Sequence, residues 1–193
     1  DYLNNTLYPS LVVGQGIALN LTTNNIDLTL LPTKFDLRDI GWITPVRDQG
    51  SMGSCWTFGA LDAVESALVK SPGISYYLSE NNVQDVMLIY SRYGVYISEG
   101  GFQTNSAAYM VNWFGVFPQE YDTYDELGKI SPLIHANQTL HVQDYVLIER
   151  NISNPGDPLL KEAILKYGVL HVTYDATQLN PTDYNFYSNS TSS

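Results

Sequence analysis

The chain has 193 residues, of which 44% are hydrophobic and 12% aromatic, and its formal net charge is −11 at pH 7. This length suits one domain with a sizeable core. The negative charge argues against nucleic acid and anionic lipid as partners, and the chain contains no run of the roughly 20 apolar residues that a membrane span needs.

Residues 1–30 differ in composition from the rest of the chain. Asn, Thr and Leu dominate them, and they contain no Lys, Arg or Glu. We expect this segment to be a linker or a pro-like segment, followed by one domain over residues 31–193.

The only cysteine of the chain lies in the run TPVRDQGSMGSCWTFGA, residues 44–60. Apolar residues then recur at helical spacing, which predicts a helix whose first turn holds Cys55. These residues are Phe58, Leu61, Val64 and Leu68. Unpaired backbone N–H groups and the positive end of the helix dipole favour a thiolate there. The alternative interpretation of a lone cysteine is a small buried hydrophobic residue.

Three further helices are predicted along the chain. The first has Ser79 as its cap. The second has Thr104 as its cap and ends near Gly115. The third starts at Asp157-Pro158 and ends at Gly168. Strand-like runs occupy Tyr145–Glu149 and Val169–Tyr174. The acidic run Tyr121–Glu126 is expected to be a solvated loop.

The run around Cys55 resembles the active-site stretch of the papain-type cysteine peptidases, TPVKDQGxCGSCWAF, and departs from the signature C-G-[SA]-C-[WY] only at Met52. Further blocks resemble the family in the same order, from about residue 31 to about residue 187. They are residues 31–38, 78–85, 99–102, 115–124 and 168–176. The resemblance implies the α+β papain-like fold, with its helical left half complete and its barrel-like right half only partly present in this chain. The active cleft would lie between the two halves.

The resemblance also assigns roles to single residues. It makes Cys55 the nucleophile, and it makes the side-chain amide of Gln49 a second donor, beside the Cys55 N–H, for the oxyanion that forms on attack. Gly100 and Gly101 match a pair that lets a substrate peptide run beside the backbone; the alternative is an ordinary Gly-Gly turn.

Phe102 and Thr173 match positions of the family that line a substrate pocket. For Phe102, a core position is the alternative. The resemblance implies no cofactor and no metal.

A papain-type nucleophile also needs a His as base and an Asn that orients it. His171 falls in a strand-like run where the family has Ser, and His135 and His141 are expected to be exposed loop residues. Three explanations are open: the domain is nicked in its Ser/Thr-rich end, the natural chain continues beyond the printed sequence, or the protein lacks the second half. We favour nicking, with a noncovalent partner fragment that carries the His and Asn, because a barrel without its last strands would expose strand edges.

The resemblance implies a thiol protease, a hydrolase that cleaves peptide or protein substrates as an endopeptidase through a thioester acyl-enzyme. It also implies that this chain alone is inactive, since the base lies outside it. One alternative is a catalytically inactive papain-like module that binds peptides or mediates adhesion in a surface protein. Another is transamidation by the same acyl-enzyme.

Cysteine usage and glycosylation signals bear on the compartment. Met52, Val86 and Ser98 occupy positions where the family has disulfide cysteines, which points to a lineage without these disulfides. Five N-x-[ST] sequons begin at Asn4, Asn20, Asn137, Asn151 and Asn189. Together these features predict a prokaryotic glycoprotein that is extracellular or on the cell surface.

Overall fold

The computed structural model describes residues 31–90, 100–128, 139–148 and 157–174. Within them the chain forms four α-helices and one short 3-10 turn. The helices are α1 (Cys55–Lys70), α2 (Glu80–Tyr90), α3 (Gln103–Val111) and α4 (Pro158–Tyr167), and the 3-10 turn is Gln119–Tyr121. None of these helices is long and apolar enough to cross a bilayer. Residues 1–30, the five sequons, Ser98 and His135 lie outside the described residues.

The helix predicted from the cysteine is confirmed: α1 begins at Cys55. Its inner face packs with α2 and α3 into one apolar core. The core residues are Trp56, Ala60, Leu61, Leu68, Leu78, Val83, Val86, Met87, Tyr109, Met110 and Val116. Burial of each large apolar side chain in such a core stabilises the fold by roughly 1.5–3 kcal/mol. Helix α1 is therefore anchored along its length, and its first residue is held in place by the turns that follow.

The starts of α2 and α4 match the sequence signals. The Ser79 hydroxyl accepts a hydrogen bond from the Asn82 N–H at 3.0 Å, and the Asp157 carboxylate accepts one from the Leu159 N–H at 3.0 Å. Each side chain satisfies an N–H that has no partner inside its helix. Gly168 closes α4 with a φ of +99°, as predicted.

Helix α3 differs from its prediction at both ends. It begins at Gln103, so Thr104 lies inside the helix, and the side chain of Asn105 accepts a hydrogen bond from the Phe102 N–H at 2.9 Å. The helix ends at Val111, before Gly115, because Trp113 adopts a left-handed φ of +65° that a right-handed helix does not permit.

The carboxyl end of α4 is fixed against α1. The Lys70 ammonium donates to the carbonyls of Leu165 and Lys166, where the negative end of the α4 dipole favours a cation. A Cβ on Gly168 would lie 2.5 Å from the Ser66 hydroxyl oxygen, so only glycine permits this approach. The chain after α4 therefore leaves beside α1.

The two predicted strands are not formed in the described residues. Residues 145–148 and 169–174 are irregular, and Glu149 lies outside the described part. A strand needs a neighbour to complete its hydrogen bonds. In the described ranges the pairing is limited to two isolated antiparallel bridges, between Leu78 and Pro118 and between Val116 and Leu140.

Candidate active site

Cys55 is a free, exposed cysteine at the first residue of α1. The N–H groups of Thr57 and Phe58 donate to the Ser54 carbonyl at 2.9 and 3.3 Å, so the hydrogen bonds of the helix start at the residue before the cysteine. The Cys55 N–H therefore belongs to the first turn, whose amides have no acceptor inside the helix. The exposed position excludes the interpretation of Cys55 as a small buried hydrophobic residue.

Gln49 lies in the same loop as the cysteine, and its side chain folds back over the turn. Its Nε2 donates to the Met52 carbonyl at 2.8 Å. A primary amide carries two N–H donors, so one hydrogen bond fixes the amide and leaves a second donor for another acceptor. The loop of residues 49–54 is called here the oxyanion loop. It holds the Gln49 amide in place shortly before Cys55 in the sequence.

The oxyanion loop is contacted by residues 124–126, a distant segment for which the sequence predicted no such contact. The Tyr124 hydroxyl lies 2.7 Å from the Gln49 carbonyl and 2.6 Å from the Ser54 hydroxyl. The Glu126 carboxylate accepts from the Ser51 N–H at 2.9 Å and from the Ser51 hydroxyl at 2.7 Å.

These contacts correct the expectation that residues 121–126 form a solvated loop. Tyr121 is exposed, but Asp122 is buried and accepts hydrogen bonds from the side chains of Asn81 and Asn82. Hydrogen bonds from the two asparagine side chains therefore keep part of this acidic run out of solvent. No short-range sequence pattern signals such pairings.

The glycine pair lies beside the start of α1. A Cβ on Gly100 would lie 3.8 Å from the Gly53 carbonyl oxygen, which is ordinary contact, but Gly100 has a φ of +76°. A Cβ on Gly101 would lie 2.7 Å from the indole Nε1 of Trp56. The structure therefore brings the pair next to residues on either side of Cys55 in the sequence, and it gives Gly101 a packing role as well.

The two expected pocket residues are both on the surface. Phe102 is 72% exposed, which excludes the core alternative for it, and Thr173 is also exposed. A cavity of about 340 Å³ is lined by residues 43–49, Phe58, Asp62 and Val169. Gln49 lines this cavity, whereas Phe102 and Thr173 do not.

His171 packs against α1. Its Cδ2 lies 2.9 Å from the position that a Cβ on Gly59 would occupy, one turn after Cys55. Its Nδ1 is buried without a hydrogen-bond partner among the described residues, and burial lowers the pKa of the imidazole. His141 is exposed, as expected, and stacks on Trp113 with ring centroids 4.6 Å apart.

A charge cluster around Arg47 was also not predicted from the sequence. The Arg47 guanidinium pairs with Asp62 at 3.0 Å, with Glu65 at 2.9 Å and with Glu80 at 2.5 Å. Burial raises the pKa of Glu80 to about 7 and raises that of Glu65, although Arg47 opposes both shifts. Because three carboxylates share one guanidinium, retention of a proton by Glu80 relieves the excess negative charge.

Comparisons with known proteins bear on the family and the fold of the chain. The family model described as papain family cysteine protease matches residues 31–192. Testin-2 of Mus musculus is 30% identical over 148 residues, which are 76% of this chain and 42% of that protein. Cathepsin 7 of Mus musculus is 27% identical over 147 residues, again 76% of this chain and 42% of that protein. The chain thus spans less than half the length of these relatives.

Among solved structures, similarity extends to the cysteine protease and lectin-like domains of a surface layer associated protein of Clostridium difficile. That structure matches with a TM-score of 0.62 and 22% identity, over 76% of this chain and 33% of that chain. A likeness at this identity shows a shared fold, and it confirms the fold class expected from the sequence.

Proposed function

The chain belongs to the papain family of cysteine proteases, and we propose that it carries the nucleophile half of a cysteine endopeptidase active site. The observation that supports this most is the combination of an exposed Cys55 at the first residue of α1 and a Gln49 amide that is held in the preceding loop. The substrate is a peptide or protein. The base, a His, and the Asn that orients it come from outside this chain.

In the proposed reaction the Cys55 thiolate bonds to the carbonyl carbon of the scissile peptide. The negative charge moves to the carbonyl oxygen, to which the Cys55 N–H and the free N–H of Gln49 donate hydrogen bonds. Each such donor contributes roughly 3–4 kcal/mol to the transition state. The C–N bond then breaks as the external His protonates the leaving amine. Water, deprotonated by the same His, hydrolyses the thioester, and the free acid and the thiol are released.

The glycine pair provides the track for the substrate in this proposal. An extended peptide hydrogen-bonds to backbone best where no Cβ intervenes. Gly100 and Gly101 lie next to Gly53 and Trp56 at the start of α1, and Phe102 and Thr173 are exposed for contact with substrate side chains. We assign the protein to the extracellular space or the cell surface on the basis of its sequons.

Labelling by a thiol-directed probe tests the proposal. The complete protein, including any bound fragment, is treated at neutral pH with a peptidyl epoxide, and the adduct is located by mass spectrometry. We expect one adduct at Cys55, formed far faster than on free cysteine, and no adduct in Cys55→Ala. Gln49→Ala should keep the labelled site but lower kcat for a fluorogenic peptide by about 100-fold or more.

The result that contradicts the proposal is equally specific. If Cys55 reacts no faster than free cysteine and the peptide stays intact, the endopeptidase assignment fails. The inactive module that binds peptides would then be the better description. Binding of an uncleaved peptide to the wild type would support that outcome.

A further inference from the structure

We propose that residues 124–126, called here the clamp, position the oxyanion loop, with Tyr124 and Glu126 as positioning residues for Gln49 and Cys55. The inference rests on the proposed function of that site. The clamp contacts the loop near both ends and in its middle, from a part of the chain about 75 residues away.

Tyr124 ties the two ends of the loop together through one oxygen. Its hydroxyl donates to the Gln49 carbonyl at 2.7 Å. Because a phenol has a single proton, the Ser54 hydroxyl, 2.6 Å away, must be the donor in the second hydrogen bond. The residue that carries the oxyanion amide and the residue before the nucleophile are therefore held at a fixed separation.

The ring of Tyr124 is itself held in place. It meets the Phe58 ring edge to face, with centroids 5.1 Å apart and planes at 84°. Phe58 belongs to the first turn of α1, which also carries Cys55. Burial raises the pKa of the Tyr124 phenol, so the group stays protonated and continues to donate at neutral pH.

Glu126 holds the middle of the loop. One carboxylate oxygen accepts from both the N–H and the hydroxyl of Ser51, and hydrogen bonds to an ionised acceptor are the stronger kind. Glu126 has a φ of +58°, which is uncommon for a residue other than glycine. Its carboxylate also fills the space that a Cβ on Gly50 would need.

The loop needs such external anchors. Gly50 and Gly53 give its backbone freedom, and no disulfide within this chain can restrain it, because Cys55 is the only cysteine. An oxyanion donor works only when it is held in place before reaction, and a misplacement of about 1 Å can cost about 100-fold in rate.

Four variants of the full-length protein test the clamp. Glu126→Ala removes the acceptor, Glu126→Gln keeps an oxygen acceptor, Ser51→Ala removes one of the two hydrogen bonds, and Tyr124→Phe removes the hydroxyl while keeping the ring on Phe58. Glu120→Gln is the matched control, since Glu120 is an exposed carboxylate just before the clamp.

The first readout is the kinetics of peptide cleavage. We expect Glu126→Ala and Tyr124→Phe to lower kcat by about 10- to 100-fold with KM within about twofold, since transition-state contacts are lost and binding is kept. Glu126→Gln should restore part of the rate, Ser51→Ala should have a smaller effect, and Glu120→Gln should match the wild type. Unchanged kcat in both Glu126→Ala and Tyr124→Phe overturns the proposal.

The second readout does not depend on activity. Hydrogen exchange of the amides of residues 49–55 should be faster in Glu126→Ala than in the wild type, while exchange in α2 stays the same. Equal exchange of the loop in the two proteins overturns the clamp even if the enzyme is active. If the wild type cleaves no peptide, the proposed function fails but the clamp does not, because faster exchange in Glu126→Ala would still support the clamp. If Glu126→Ala does not fold, the same exchange measurement is made on Glu126→Gln and Tyr124→Phe.

Discussion

Gly100 and Gly101 are adjacent, but they need glycine for different physical reasons. Gly100 has a left-handed backbone with ordinary space around it, whereas Gly101 has no such φ but lies against the buried Trp56 indole. The first constraint is conformational and the second steric. Sequence resemblance cannot separate them, because both appear as the same letter and both lie on the proposed substrate track.

Alanine substitution should separate the two constraints. We expect Gly100→Ala to lower the free energy of unfolding by roughly 1–2 kcal/mol, the usual cost of an L-residue at this φ. Gly101→Ala should lower it by roughly 1–3 kcal/mol through overpacking on Trp56. Urea unfolding, followed by the shift of the midpoint, measures both.

Gly41 provides the control for this comparison. Its φ is +70°, and no described atom lies within 4 Å of where its Cβ would be. Gly41→Ala should therefore destabilise the protein by about as much as Gly100→Ala does. With Trp42 and Trp113 replaced by Phe, so that Trp56 is the only fluorescent indole within these residues, a fluorescence change in Gly101→Ala alone would support the steric account, and its absence would contradict it.

At the scale of elements, Arg47 joins two helices through ion pairs. Asp62 and Glu65 belong to α1, and Glu80 is the first residue of α2. Burial opposes ionisation of Glu80, while the surrounding carboxylates keep Arg47 charged. The helix junction is therefore sensitive to the protonation state of one carboxyl group.

This sensitivity has a definite sign. The folded pKa of Glu80, about 7, lies above its ordinary value of 4.5, so the folded protein binds the proton more tightly than the unfolded chain does. The stability contribution is fully present below about pH 4.5 and is lost as pH rises through 7. It amounts to roughly 3 kcal/mol for a shift of this size.

Glu80→Gln should remove this part of the pH dependence. We expect the unfolding free energy of the wild type to fall relative to that of Glu80→Gln between about pH 5 and pH 8. Urea unfolding of both proteins at intervals across this range measures the difference, with Glu120→Gln as the exposed control. Parallel curves for wild type and Glu80→Gln would show that the cluster is not the source of the effect.

At the scale of the whole molecule, features that depend on neighbouring residues could be predicted from the sequence, and contacts between distant residues could not. The start of α1 and the caps at Ser79 and Asp157 depend on residues within one helical turn, so the sequence pattern is sufficient for them. The bond between Glu126 and Ser51 joins residues 75 positions apart. Nothing in either local sequence encodes it.

The strand predictions illustrate the same limit. Alternating or apolar residues favour an extended backbone, but a strand also needs a partner along its edge. Residues 169–174 have the composition of a strand and remain irregular in the described part of the chain. The placement of Gly101 against Trp56 was likewise not predictable, since it required the three-dimensional packing of α1.

The single exposed thiol has a practical consequence for these experiments. Because Cys55 is the only cysteine within these 193 residues, thiol labelling followed by peptide mass spectrometry reports at most one equivalent for this part of each molecule. Oxidised or blocked preparations would give less than one equivalent. Rates can therefore be expressed per intact nucleophile rather than per milligram of protein, and variants can be compared on that common scale.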